Sequence, residues 1–215
     1  MVVLSARRAR PAIIAPVWIP EDSEIRSLHE RVAPTREAFE SVWTHCEIVC
    51  RIAEQLLDRL DLDVNAGLVR AGCLLHDIGV YRLYGRDGVL DHANYIRHGL
   101  LGHELLRAEG FPEYLCRFCS CHTGVGVTHA DILDQGLPLP PGDYVARTGE
   151  ESLVMYADKF HSKKSPPVFV SAAAYAASVG RFGPDKVERF STMVATYGEP
   201  DLLALSAATG HAVVR

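Results

Sequence analysis

From Thr35 onward, apolar residues recur at three- and four-residue steps: Phe39, Val42, Trp43, Cys46, Val49, Cys50, Ala53, Leu56 and Leu57. That period is helical, and the alternation of a half-buried strand is absent from the whole chain. Such a chain can bury its apolar stripes only by packing helix on helix. Punctuation divides the rest. Residues 1–34 are irregular, marked by Pro11, Pro16, Pro20 and Pro34, with a short helix over Asp22 to Arg31. Asp63 is positioned to cap a second helix carrying Ala66, Val69, Cys73 and Leu74, which Gly79 ends. Further helices follow over Tyr95 to Glu109, Pro112 to Cys121 or His122, and Thr128 to Gln135. Residues 136–149 read as a loop, a candidate lid. Thr148 and Glu151 have capping-box spacing and start a helix predicted to run to about His161. The tail from Ser171 reads as two or three more helices, broken near Gly183-Pro184 and Gly198. The expected fold class is all-α, a single-domain helical bundle. Residues 1–34 form an N-terminal extension, 35–165 the main domain and 166–215 C-terminal helices packing on it.

Size and charge narrow the function. A chain of 215 residues with 48% hydrophobic residues can build one sizeable core. A net charge of -5, from 22 basic and 27 acidic residues, argues against a partner that is a nucleic-acid polymer. A small phosphorylated partner needs only a few local cations or a metal. No segment reaches the ~20 apolar residues of a membrane span. Arg7, Arg8 and Arg10 before Pro11 do not read as a secretory signal. The expectation is a cytoplasmic protein whose six cysteines are thiols.

The histidines carry the chemistry. His45, His76, His98, His122 and Asp158 each continue an apolar stripe, and they fall on five different helices. His76, for example, lies three and seven positions after Cys73 and Val69. A buried imidazole or carboxylate is costly without a partner, and five of them converging need a common one. A metal is the economical choice. These ligand types suit Fe, Mn, Zn, Ni or Mg, and the lack of a required cysteine points away from a structural zinc site.

The segment His76-Asp77-Ile78-Gly79, with His45 before it and Asp158 in Tyr156-Ala157-Asp158-Lys159 after it, resembles the HD superfamily of metal-dependent phosphohydrolases. His98-Gly99-Leu100-Leu101-Gly102 and Cys121-His122-Thr123-Gly124 are similar to the two extra histidine positions of its binuclear branch. The resemblance covers roughly residues 35–165. It implies one or two divalent metal ions: one held by His45, His76, Asp77 and Asp158, the second by His98, His122 and a bridging Asp77. It also implies hydrolysis of a small phosphoester, a nucleotide or dinucleotide, by a metal-activated water. Many relatives carry Lys after the HDIG glycine, where this chain has Val80. Arg82 and Lys159 are the candidates, beside Asp77, for the catalytic contacts to phosphate.

Other readings stay open. Some members of the superfamily use a similar ligand set in a mixed-valence di-iron oxygenase, and a non-catalytic nucleotide sensor would retain it too. His103, five residues after His98 and ~140° round a helix, competes with it. His92, His129, His161 and His211 read as surface residues or as supports behind the ligands, with His161 near enough to Asp158 to reach substrate. Cys116, Cys119 and Cys121 read as buried small hydrophobes rather than a zinc knuckle. Gly124 and Gly126 lack the Lys-Ser/Thr of a phosphate loop. A homo-oligomer is compatible with the sequence.

Overall fold

The computed structural model describes residues 17–215. The leader reading on Arg7, Arg8 and Arg10 lies outside the described residues. The first helix, α1 (Asp22–Val32), is closed by a capping box between Glu21 and Glu24. The long α2 (Arg36–Leu57) starts where the Thr35 hydroxyl accepts from the Ala38 amide, at 3.1 Å. Its buried face carries Val42, Cys46, Val49, Ile52, Ala53 and Leu56, interrupted by His45. Helix α3 (Ala66–Leu75) packs along α2.

Both ends of α3 differ from expectation. Asn65, not Asp63, caps α3, because its side-chain oxygen reaches the Leu68 amide. The helix stops at Leu75 and does not run on to Gly79, and a tight 3-10 turn over Ile78–Leu83 follows. Helix α4 (His98–Ala108) is preceded by a 3-10 turn over Tyr95–Arg97 and lies against both α5 (Glu113–Cys121) and the Ile78–Leu83 turn. The α4–turn contact is possible only because the turn and α4 meet through glycines. A Cβ at Gly79 would stand 2.0 Å from the His98 carbonyl oxygen and 2.2 Å from the Gly102 amide nitrogen.

The short α6 (His129–Gln135) is closed by a capping box of Thr128 and Asp131. After the 136–148 loop, α7 (Gly149–Asp158) packs on α3, α2 and α5. It ends at Asp158, short of His161. The residues beyond it pair in a small sheet: β1 (His161–Ser162) runs antiparallel to β2 (Val168–Val170), and β2 runs parallel to β3 (Ala212–Val214). These strands are two or three residues long, too short for any alternation to show in sequence. Helices α8 (Ala172–Val179), α9 (Pro184–Tyr197) and α10 (Leu202–Thr209) complete the chain. Aromatic rings tie them to α7: Phe190 lies 5.8 Å from Tyr156 and 4.6 Å from Tyr175 between ring centroids. Among the described residues, ten helices around one apolar core make the fold all-α, with the small sheet at its margin. No described helix is long and apolar enough to cross a membrane.

Candidate metal centre

Five elements each deliver part of one interior cluster. His45 comes from the middle of α2, His76 and Asp77 from the break after α3, His98 from the first position of α4, His122 from the end of α5 and Asp158 from the end of α7. All but Asp158 are buried. All but His45 thus stand at helix ends, where a side chain can leave the helix surface and aim into the space between elements.

The imidazoles are oriented from behind. His76 donates through Nδ1 to the Cys73 carbonyl at 2.7 Å, His98 to Tyr95 at 2.6 Å and His122 to Cys119 at 2.7 Å. Each Nδ1 therefore holds the proton and each Nε2 presents a lone pair. Yet these lone pairs face one another: His98 Nε2 is 2.9 Å from His122 Nε2, and His76 Nε2 is 3.2 Å from His45 Nε2. Two acceptors at such distances repel unless a proton or a metal cation lies between them.

Asp77 divides its two oxygens between the pairs. Oδ2 is 3.2 Å from His45 Nε2 and 3.6 Å from His76 Nε2. Oδ1 is 3.4 Å from His98 Nε2 and 3.6 Å from His122 Nε2. Asp158 Oδ1 closes the first set, 3.0 Å from His45 Nε2 and 3.5 Å from His76 Nε2. Asp77 Oδ1 is buried with no hydrogen-bond donor, a costly state for a carboxylate oxygen that a cation would relieve. In each of two groups, His45–His76–Asp158 and His76–Asp77–His122, the donor atoms lie within 4.8 Å of one another, close enough to share one ion, and His76 belongs to both groups. The residues present therefore fit divalent metal, and the Asp77 carboxylate faces both imidazole pairs.

The electrostatics agree. Burial pushes the His76 imidazole down, but the Asp77 carboxylate and Cys46 outweigh it and leave it well above its ordinary value. Burial raises the Asp77 carboxyl, and the Lys163 ammonium and His76 more than reverse this, holding it well below the carboxylate range. Asp158 is likewise held low, with Lys159 the main opponent of burial. The cluster calls for positive charge where the Nε2 atoms meet. Burial lowers His98 to about 3, so it stays a neutral donor.

The structure sorts the remaining candidates. Lys159 is buried and donates to the His122 carbonyl at 2.9 Å and to Asp158 Oδ2 at 2.7 Å. Arg82 is exposed on the 3-10 turn and does not reach the cluster, because that turn sends residue 82 outward while Val80 is buried. The cation beside Asp77 is Lys163, which donates to Asp77 Oδ2 and lies 5.5 Å from the Tyr95 ring centroid. The sequence gives little sign of Lys163: it sits beside Lys164 in a polar segment, and only the strand following α7 turns it inward. His103 faces away, bonded to Ser120 at 3.0 Å and Arg107 at 2.9 Å. Cys116, Cys119 and Cys121 are buried along α5, Cys119 donating to the Leu75 carbonyl at 3.3 Å.

A cavity of about 400 Å³ opens beside the cluster. Asp77, His98, His122, Lys159 and Lys163 form its floor. Its walls include Val125, Val127 and Leu137 from the segment after α5, and Tyr175, Arg181 and Phe182 from α8 and the turn following it.

A helical fold that aims six imidazoles and carboxylates from five elements at one interior point is a scaffold for metal ligation. Comparison with known proteins gives the family: the chain belongs to the HD domain family, whose profile matches residues 42–163. Among characterised and uncharacterised relatives, it is 38% identical over 122 residues to an uncharacterized protein of Methanocaldococcus jannaschii, covering 55% of this chain and 65% of that one. It is also 32% identical over 145 residues to a tRNA (cytidine(56)-2'-O)-methyltransferase of Picrophilus torridus, covering 67% of this chain and 37% of the methyltransferase. The chain thus spans less than two thirds of either relative. Among solved structures, the HD domain of the phosphodiesterase PgpH of L. monocytogenes matches 80% of this chain and 96% of its own, with TM-score 0.47 and 16% identity.

Proposed function

We propose that the protein is a metal-dependent phosphohydrolase acting on a small phosphoester, with a nucleotide or dinucleotide as the substrate class. The observation that carries this reading is the Asp77 carboxylate divided between two sets of facing imidazole nitrogens. His45, His76, Asp77 and Asp158 would hold one divalent ion, and His98, His122 and Asp77 a second. Bound there, the ions would supply Lewis-acid chemistry: a lowered pKa for water and positive charge for phosphoryl oxygens.

The chain's own residues supply the rest. Lys159 and Lys163 present two ammonium groups at the cavity floor, each already oriented by a carboxylate. Charge-assisted contacts from such groups hold phosphoryl oxygens in place. Val125, Val127 and Leu137 offer an apolar wall and exclude water from the floor. Tyr95 and Tyr175 give flat faces on which a nucleobase can lie. Arg181 and Phe182 stand at the outer wall, the guanidinium 4.6 Å from the Phe182 ring centroid, where a larger substrate's distal part would pass.

Metal analysis of natively purified protein, followed by a panel of mononucleotides, dinucleoside polyphosphates and cyclic nucleotides, tests this reading. Phosphate-ester cleavage that stops on chelation and returns with metal is the expected result. A mixed-valence iron signal with substrate-dependent oxygen uptake would replace it by the oxygenase reading. Ligand binding without turnover would mark a sensor.

A further inference from the structure

Three of the four imidazoles in the cluster take their orientation from a backbone carbonyl of the preceding turn. His45 does not. It sits in mid-helix, where the carbonyls of the preceding turn are already used by the helix ladder. Its Nδ1 instead lies 2.8 Å from Nδ1 of His161, the first residue of β1, with the rings stacked at 5.1 Å. Nε2 of His161 in turn lies 3.1 Å from Nδ1 of His211, with those rings stacked at 5.2 Å. His211 precedes β3, whose parallel pairing with β2 fixes it, and the Ser206 hydroxyl donates to its carbonyl at 2.7 Å. His161 is buried against Phe169, 5.2 Å between centroids.

We infer that His161 and His211 are positioning residues for the metal centre, a one-way chain of hydrogen bonds that fixes the tautomer and ring angle of His45. The inference rests on the metal-binding reading of the cluster. Its direction follows from that reading. For His45 Nε2 to offer a lone pair beside His76 and Asp158, its proton must sit on Nδ1. His161 Nδ1 must then accept, so the His161 proton lies on Nε2 and is donated to His211 Nδ1. The His211 proton is left on Nε2, at the outer end of the chain. Neither His161 nor His211 touches the cavity floor beside His98 and His122, so neither is assigned a contact with the reacting atoms. The arrangement gives the residue before the C-terminal strand, outside the matched residues 42–163, a hold on His45 of α2 through His161.

Two measurements test it. Long-range proton–nitrogen NMR of the wild-type protein, labelled with 15N-histidine and loaded with Zn²⁺, should show Nδ1–H on His45 and an unprotonated Nδ1 on His161. The opposite pair of tautomers would overturn the inference. Second, Mn²⁺ titration compares His161→Asn with His161→Leu. These side chains have nearly the same shape, but only Asn offers an oxygen near the position of Nδ1. The expected result is that His161→Leu weakens Mn²⁺ binding about 10–100-fold, the usual effect of losing a partner behind a ligand, while His161→Asn stays within about threefold of wild type. Equal affinities of the two variants would sink the positioning role while leaving the metal reading intact. Failure of the wild type to bind Mn²⁺, Zn²⁺ or Fe²⁺ at all would sink both. If His161→Leu does not fold, the wild-type tautomers alone decide.

Discussion

Asp77 concentrates the chemistry of the site in one residue. Its two oxygens serve different imidazole pairs, and one of them also holds the Lys163 ammonium. Asp77→Ala is expected to abolish metal retention and activity together, and Asp77→Asn, which keeps the shape, to do the same. Lys159→Met and Lys163→Met each remove one charge-assisted contact, about 1.5–3 kcal/mol or one to two decades in kcat/KM. Arg82→Ala, on an exposed side chain, should leave kcat/KM within about twofold. Steady-state kinetics on the best phosphoester of the panel orders the four. His29 allows a separate test, away from the metal ligands. It donates through Nε2 to the Leu74 carbonyl at 2.9 Å, and its Nδ1 accepts from the Tyr81 hydroxyl at 3.0 Å. Burial lowers its pKa to about 3. Between that value and the ordinary 6.5 the unfolded chain binds the extra proton and the native state does not, so stability falls as pH drops through this window. At pH 5 the loss is about 2 kcal/mol relative to pH 7.5. His29→Gln lacks this titration, so urea unfolding at the two pH values should show the wild type losing about that much more than the variant.

At the scale of the element, the site depends on how closely backbones approach. Gly79, Gly99 and Gly102 let the turn after α3, the helix α4 and the helix α5 touch without side chains between them; a Cβ at Gly99 would stand 2.6 Å from the Cys119 carbonyl oxygen. That approach brings His98 and His122 to Asp77. Gly79→Ala should therefore cost at least the ~1–3 kcal/mol of an overpacked core, and should also weaken metal binding by parting Asp77 from His98. A thermal melt and a metal titration of the same variant check both parts. The start of α3 offers a cleaner change. Asn65→Ala should destabilise by ~0.5–2 kcal/mol, the loss of one cap, whereas Asp63→Ala should lie within ~0.5 kcal/mol of wild type.

For the whole molecule, the C-terminal helices and the region that carries the His–Asp cluster share their packing. Tyr156 and Phe160, at the end of the helix that carries Asp158, meet Phe190 and Tyr197 of α9. The Tyr156 hydroxyl also donates to the Gly198 carbonyl at 2.5 Å. Phe190→Ala is expected to cost ~3–5 kcal/mol, as for a fully buried ring. Because the ring packs on α7, fluorescence and circular dichroism should report one unfolding transition, shifted as a unit, with no early loss of the C-terminal helices alone.

The sequence determined the helices and where most of them begin. Period, caps and prolines are local signals, so the starts of α2, α6, α7 and α9 could be read directly from Thr35, Thr128, Thr148 and Pro184. It also pointed to His45, His76, His98, His122 and Asp158, since a polar side chain on an apolar stripe has nowhere to point but inward, while Asp77 came from the family resemblance. What it could not carry was anything decided by distant segments. The end of α7 at Asp158 follows from the pairing of 161–162 with 168–170, and that of β2 with β3 joins residues more than forty positions apart. Lys163 becomes the partner of Asp77, and Arg82 does not, because one directly follows β1 and is turned inward while the other lies on a turn facing solvent. The link from His45 through His161 to His211 spans 166 positions of chain, from residue 45 to residue 211. No periodicity in a single segment encodes such a contact; only the packing of β1 beside α2, with the residue before β3 brought next to His161, creates it.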